Sequence, residues 1–128
     1  MKLFAYIKNA KGPGKRLQKV IESINPGIRI EIFRTVEELL ERMHQPLNRP
    51  VIIVLLLKFK KELVEILSHQ SLFYDTWNIL ILPEGNETMM KMGLKLYPRY
   101  ISFTNSDLKD VELVLKKMLV NVNSKRKP

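Results

Sequence analysis

The sequence predicts a doubly wound α/β domain on a five-stranded parallel sheet, and three observations lead there. The first is Val51-Ile52-Ile53-Val54-Leu55-Leu56-Leu57, an unbroken apolar run between Pro50 and Lys58. An amphipathic helix would interrupt such a run with polar residues, and a strand wet on one face would alternate. A short continuous run opening with β-branched residues fits a strand buried on both faces, as in a parallel sheet covered by helices on each side. It is too short to span a bilayer as a helix. The second observation is that strand-like and helix-like segments alternate along the whole chain, the pattern of right-handed βαβ crossovers. The third is the contrast between strands. Ile28, Ile30 and Ile32 alternate with Arg29 and Glu31, which suits a half-wet edge, whereas 51–57 belongs in the middle. Together these give the three-layer flavodoxin-like arrangement with strand order 2-1-3-4-5.

In chain order, Leu3 to Ile7 is the first strand and Lys11-Gly12-Pro13-Gly14 breaks it. A helix from about Pro13 to Ser23 carries Leu17, Val20, Ile21 and Ile24 at helical spacing, and Asn25-Pro26-Gly27 ends it. The second strand covers Ile28 to Phe33. Thr35 and Glu38 read as a capping box, opening a helix that ends before Pro46. After the central strand, a third helix spans Phe59 to about Leu72. Leu63, Ile66 and Leu67 mark its apolar side; Lys60, Lys61, Glu62 and Glu65 are assigned to its polar side. Trp77 to Leu82 is the fourth strand, stopped by Pro83-Glu84-Gly85. A methionine-rich helix from about Glu87 to Leu96 precedes the fifth strand, Arg99 to Phe103. The last helix runs from about Asp107 to Val120 with Leu108, Val111, Leu115 and Met118 inward.

At 128 residues the chain fits one domain, expected over residues 1–120, with a basic tail over 121–128. The absence of cysteine removes disulfides, iron–sulfur clusters, thiolate zinc sites and a cysteine nucleophile. The N-terminus lacks the long apolar region and small-residue cleavage site of a signal peptide, so a cytoplasmic protein without membrane segments is expected. A net charge of +9 invites nucleic acid, an anionic ligand or an acidic protein partner.

From residue 1 to about 120 the chain resembles a response-regulator receiver domain, also described as CheY-like, in element order, element length and apolar strands. Tyr100, on the fifth strand, is similar to the aromatic switch residue of receivers. The resemblance implies an acidic pair after strand 1 that binds Mg²⁺, but Lys8-Asn9 stand there. It implies a phosphoacceptor Asp closing strand 3, where this chain has Leu56-Leu57-Lys58. Leu82-Pro83 replaces the Ser or Thr that closes strand 4, and no basic residue closes strand 5 between Ser102 and Thr104. Mg²⁺ needs carboxylate oxygens and phosphoryl transfer to protein needs a nucleophile beside it. The expectation is a pseudo-receiver: a non-catalytic signalling or regulatory interaction domain, not phosphorylated on Asp. In receiver-like proteins helix 4, strand 5 and helix 5 form the docking face. A protein partner or homodimer is therefore expected there, with Met90, Leu94 and Tyr100 as candidates.

The remaining motifs are weaker. Asn9 to Arg16 is similar to a phosphate-binding loop but lacks its first Gly and the hydroxyl after Gly14-Lys15, and Pro and Gly there serve the helix start alone. His44 and His69 fall near helix C-termini, where imidazoles are favoured, and neither has a second His or an acidic cluster at ligand spacing. No metal site, catalytic residue or cofactor is expected. Glu84 and Glu87 suit a helix start, and Met89, Met90 and Met92 cannot all face one way on a helix. The alternative to a protein-contact role is an anionic ligand: a nucleotide, a phosphate metabolite or nucleic acid. In the order 2-1-3-4-5 the binding crevice lies between strands 1 and 3. Its candidate lining is Lys8, Lys11, Lys15 and Arg16 on one side and Lys58, Lys60 and Lys61 on the other, with bare helix N-termini as further anion donors.

Overall fold

The computed structural model describes residues 2–24, 27–47 and 50–126. Its elements are β1 (Lys2–Tyr6), α1 (Pro13–Ile24), β2 (Arg29–Phe33), α2 (Val36–Met43), β3 (Val51–Leu56), α3 (Lys60–Leu67), β4 (Trp77–Leu82), α4 (Glu87–Gly93), β5 (Tyr100–Phe103) and α5 (Lys109–Arg126). The sheet is parallel throughout, in the order β2-β1-β3-β4-β5. This is the arrangement that the contrast between the apolar and the alternating strand implied.

β3 alternates direction without changing character. Val51, Ile53 and Leu55 face a cluster built with α2, α3 and α4, while Ile52 and Val54 face a second cluster built with α1 and α5. All five are buried. Fully burying an aliphatic side chain stabilises by about 1.5–3 kcal/mol, so a strand dry on both faces contributes twice what a half-wet one does per unit length. β2 is the contrasting case at the edge, half exposed until Phe33, whose ring meets that of Phe4 edge-on at 5.4 Å.

Local chemistry sets the element ends. The Thr35 hydroxyl accepts the Glu38 N–H at 3.1 Å and opens α2. Asn86 does the same for α4 through the Met89 N–H at 3.0 Å. Gly14 sits where the start of α1 presses on the preceding loop. A Cβ there would lie 2.0 Å from the Asn9 carbonyl oxygen, so only glycine fits.

Three helices differ from the expected bounds. The third stops at Leu67, because the Ser68 hydroxyl bonds the Glu65 carbonyl at 2.5 Å and the His69 N–H turns to the Ile66 carbonyl at 3.0 Å. A separate 3₁₀ turn, Gln70–Phe73, follows. The fourth tightens into a 3₁₀ turn over Leu94–Leu96 after Gly93, a glycine held against Leu80. The fifth continues to Arg126, six residues past the expected end at Val120, so the backbone over 121–126 is helical. Lys127 and Pro128 of the expected tail lie outside the described residues, as do Asn25 and Pro26 of the first helix stop.

Candidate functional site: the crevice at the carboxyl ends of the strands

Parallel strands aim their carboxyl ends at one edge, and the loops after β1 and β3 leave that edge towards opposite faces. A cavity of about 830 Å³ opens between them, lined by Lys8, Asn9, Lys11, Gly12, Pro13, Gly14, Leu56, Leu57, Lys58, Phe59, Glu62, Pro83, Glu84 and Thr104.

Of the seven basic candidates, the cavity brings together Lys8, Lys11 and Lys58. The Lys8 and Lys58 ammonium groups stand 5.2 and 5.4 Å from the centroid of the half-exposed Phe59 ring, within cation–π range. Arg16 is held at the rim, where its guanidinium donates to the Thr104 carbonyl at 2.9 Å. Lys15, Lys60 and Lys61 are exposed helix residues and do not line the cavity.

Two expectations about this edge need correction, both through Glu62. It does not share the wet side of α3 with Lys60 and Lys61; it is 5% exposed. One carboxylate oxygen accepts the Lys58 N–H at 2.9 Å and the Phe59 N–H at 2.7 Å. The other accepts the hydroxyl of Tyr6, at the end of β1. The N-cap amide of α3 and the one before it are therefore not bare. Phe59 at the N-cap has no side-chain acceptor, so Glu62 at the third helical position caps the helix from within. The signal was present in the sequence: Glu62 is four residues before inward Ile66 and shares its side of the helix.

Burial first, and the Glu62 hydrogen bond second, push the Tyr6 phenol well above its ordinary value. With both oxygens of Glu62 engaged, Glu84 is the second carboxylate of the cavity, and it accepts the Thr104 hydroxyl at 3.0 Å. Among the described residues no group of three or more His, Cys, Asp or Glu could hold a metal ion. The residues at this edge do not fit the Mg²⁺ site that a receiver implies. At the expected phosphoacceptor position, Leu57 is fully buried and donates its N–H to the Ile81 carbonyl at 3.0 Å.

The other three candidates separate. Met90 is half-buried against the α2–α3–α4 cluster and Leu94 is 54% exposed. Tyr100 packs on the opposite face of the sheet, with the α1–α5 cluster, and does not share a surface with them. Its hydroxyl donates to Asp110 at 2.8 Å, beside that of Ser102 at 2.7 Å. Burial pushes Asp110 up, but the Ser102 and Tyr100 hydroxyls outweigh it and hold the carboxyl below its usual range. The exposed neighbours of Leu94 are instead Tyr97, 75% exposed in a left-handed conformation, and Tyr74, whose ring centroid lies 5.8 Å away from that of Tyr97.

Comparison with solved structures places the fold. The chain superposes on a response regulator, Rcp1, in its Mn²⁺-bound form, with TM-score 0.62 and 17% identity over 92% of this chain and 91% of that one. The fold is that of a response-regulator receiver. A phosphorylated cyanobacterial phytochrome response regulator, RcpA, agrees at TM-score 0.63 and 17% identity over 98% and 96% of the two chains. No family model matches the sequence, and no curated protein matches it significantly.

The Tyr6–Glu62 contact has a measurable consequence. A raised phenol value means that the neutral form is favoured in the folded state. Its contribution to stability is complete below the unfolded value of about 10 and is lost as pH rises through the folded one. Glu62→Ala leaves a buried hydroxyl without an acceptor and α3 without its cap, and should cost about 1–3 kcal/mol at neutral pH. Glu62→Gln should lower the pH at which the Tyr6 phenolate appears, read as the absorbance difference from Tyr6→Phe. A variant as stable as the parent, with an unmoved phenolate titration, would contradict the contact.

Proposed function

We propose that this chain is a receiver-like signalling or regulatory domain that acts by contact with another protein and is not phosphorylated on Asp. The carrying observation is the engagement of Glu62. The buried carboxylate at the receiver crevice is bound to two backbone amides and a phenol, and the positions around it are Lys8, Asn9, Leu57 and Lys58. The similar structures are described as Mn²⁺-bound and as phosphorylated. Here Lys8, Asn9 and Leu57 stand where the resemblance implies the acids that such chemistry requires, with Lys58 beside them. The apolar groups that favour protein contact lie elsewhere, with Leu94 and Tyr97 after α4 and Leu113 on the outer side of α5. No helix among the described residues is long and apolar enough to cross a membrane. A cytoplasmic setting is part of the proposal. Incubation with acetyl phosphate and Mg²⁺ should leave the intact mass unchanged; one added phosphoryl group on an Asp would overturn this reading.

A second reading has its own support, the convergence of Lys8 and Lys58 on the Phe59 ring with Lys11 nearby in a cavity of about 830 Å³. In it the crevice takes an anionic ligand, bound mainly by ammonium charge, since Glu62 already occupies the Lys58 and Phe59 amides just before α3. Titration with nucleotides, short nucleic acids and polyphosphate should then show binding that weakens as salt rises. Reversing Lys8 and Lys58 to Glu should weaken it more than reversing Lys116 and Lys117, remote on α5. Equal loss from the two pairs would mean diffuse attraction only.

A further inference from the structure

One large apolar side chain at the carboxyl edge of the sheet stays outside the core. Phe59 stands at the N-cap of α3, where Ser, Thr, Asn or Asp normally supplies an acceptor. It supplies none, and Glu62 closes the helix start in its place. The Phe59 ring is 43% exposed, lines the crevice cavity and joins neither hydrophobic cluster of the core. What the ring meets is charge. The ammonium groups of Lys8 and Lys58 lie 5.2 and 5.4 Å from its centroid, and Lys11 lines the same cavity. A cation–π contact at an exposed site is weak, so both ammonium groups can leave the ring for a phosphate. The ring they leave is an aromatic face in the lining of the cavity.

We infer that the crevice binds a nucleoside diphosphate, with its base on the Phe59 ring and its phosphates on Lys8, Lys11 and Lys58. The inference rests on the second reading above, that the crevice takes an anion, and adds which anion. Three features select it. Stacking on an aromatic ring beside cationic groups holds a base whatever its identity, because every base has a π face. Phe59 is the one aromatic among the described residues that line the cavity, so there is a platform for one base, whereas a nucleic acid strand needs successive platforms. The lining is also not uniformly basic. Glu84 accepts the Thr104 hydroxyl with one oxygen at 3.0 Å, and no hydrogen bond among the described residues engages the other. A carboxylate in that position disfavours a ligand that is anionic throughout, such as polyphosphate, and accepts from a ribose hydroxyl or a base amine. The volume of about 830 Å³ lies in the range of small-ligand sites.

The test compares ADP with its two halves, adenosine and pyrophosphate, by calorimetric titration of the full chain in magnesium-free, low-salt buffer. ADP should bind at one per chain and at least about tenfold more tightly than pyrophosphate, because the stacked base makes the phosphate contacts intramolecular. Phe59→Leu keeps the apolar bulk and the backbone N–H that Glu62 accepts, and removes the π face. It should cut the ratio of ADP to pyrophosphate affinity by about fivefold or more, the order of one base–aromatic stack. Phe59→Tyr, which keeps the face, should preserve the ratio, and circular dichroism checks that both variants are folded. Pyrophosphate binding as tightly as ADP, or an unchanged ratio in Phe59→Leu, would overturn the nucleotide and leave the anionic reading standing. No saturable, salt-sensitive binding of either ligand would overturn both.

Discussion

Because both faces of Val51–Leu56 must stay dry, helices have to cover each side of the sheet, and a parallel arrangement with crossovers is the solution available to a chain of this length. The constraint reaches the site directly. Parallel strands put all their carboxyl ends at one edge, and the chain leaves β1 and β3 in opposite directions, so the crevice between Lys8 and Lys58 follows from the burial of a strand that takes no part in chemistry.

What occupies the crevice follows from a smaller event. A helix that begins at the floor of a crevice presents unpaired amides and normally attracts an anion there. In this chain the anion is built in. Glu62 folds back on its own helix start and takes the Tyr6 hydroxyl as well. A buried carboxylate with three donors is a satisfied group. Both of its oxygens are already engaged, and it takes up the two amides just before α3. The lysines around it are left to face solvent, the Phe59 ring and whatever the protein meets.

The layers were legible because hydrophobic patterning reports burial. The run at 51–57 and the alternation at 28–33 were enough to order five strands. The missing acids at Lys8-Asn9 and Leu57 were legible because strand ends are. The orientation of individual polar side chains was not. Glu62 follows two lysines and reads as one more solvated charge, and only its spacing from Ile66 hints that it turns inward. His44 and His69 lie at the ends of different helices, and the edge-to-face contact of their rings, 5.6 Å between centroids, depends on how α2 and α3 pack, which no local spacing encodes. Tyr100 fails for a related reason. On an edge strand, consecutive residues face opposite layers, and Asp110, which also accepts the Ser102 hydroxyl, holds the phenol on the α5 side. The early stop of α3 turns on a single hydroxyl, Ser68, competing for a backbone carbonyl.

The central claim is that this receiver fold has a crevice without a metal pocket. Paramagnetic broadening by Mn²⁺ tests it most directly, because an ion seated among carboxylates relaxes every nearby amide. Sub-stoichiometric Mn²⁺ should leave the amide signals of Lys8 to Gly14 and of Leu57 to Phe59 as sharp as those of the sheet interior. Selective, saturable broadening of those amides would contradict the account.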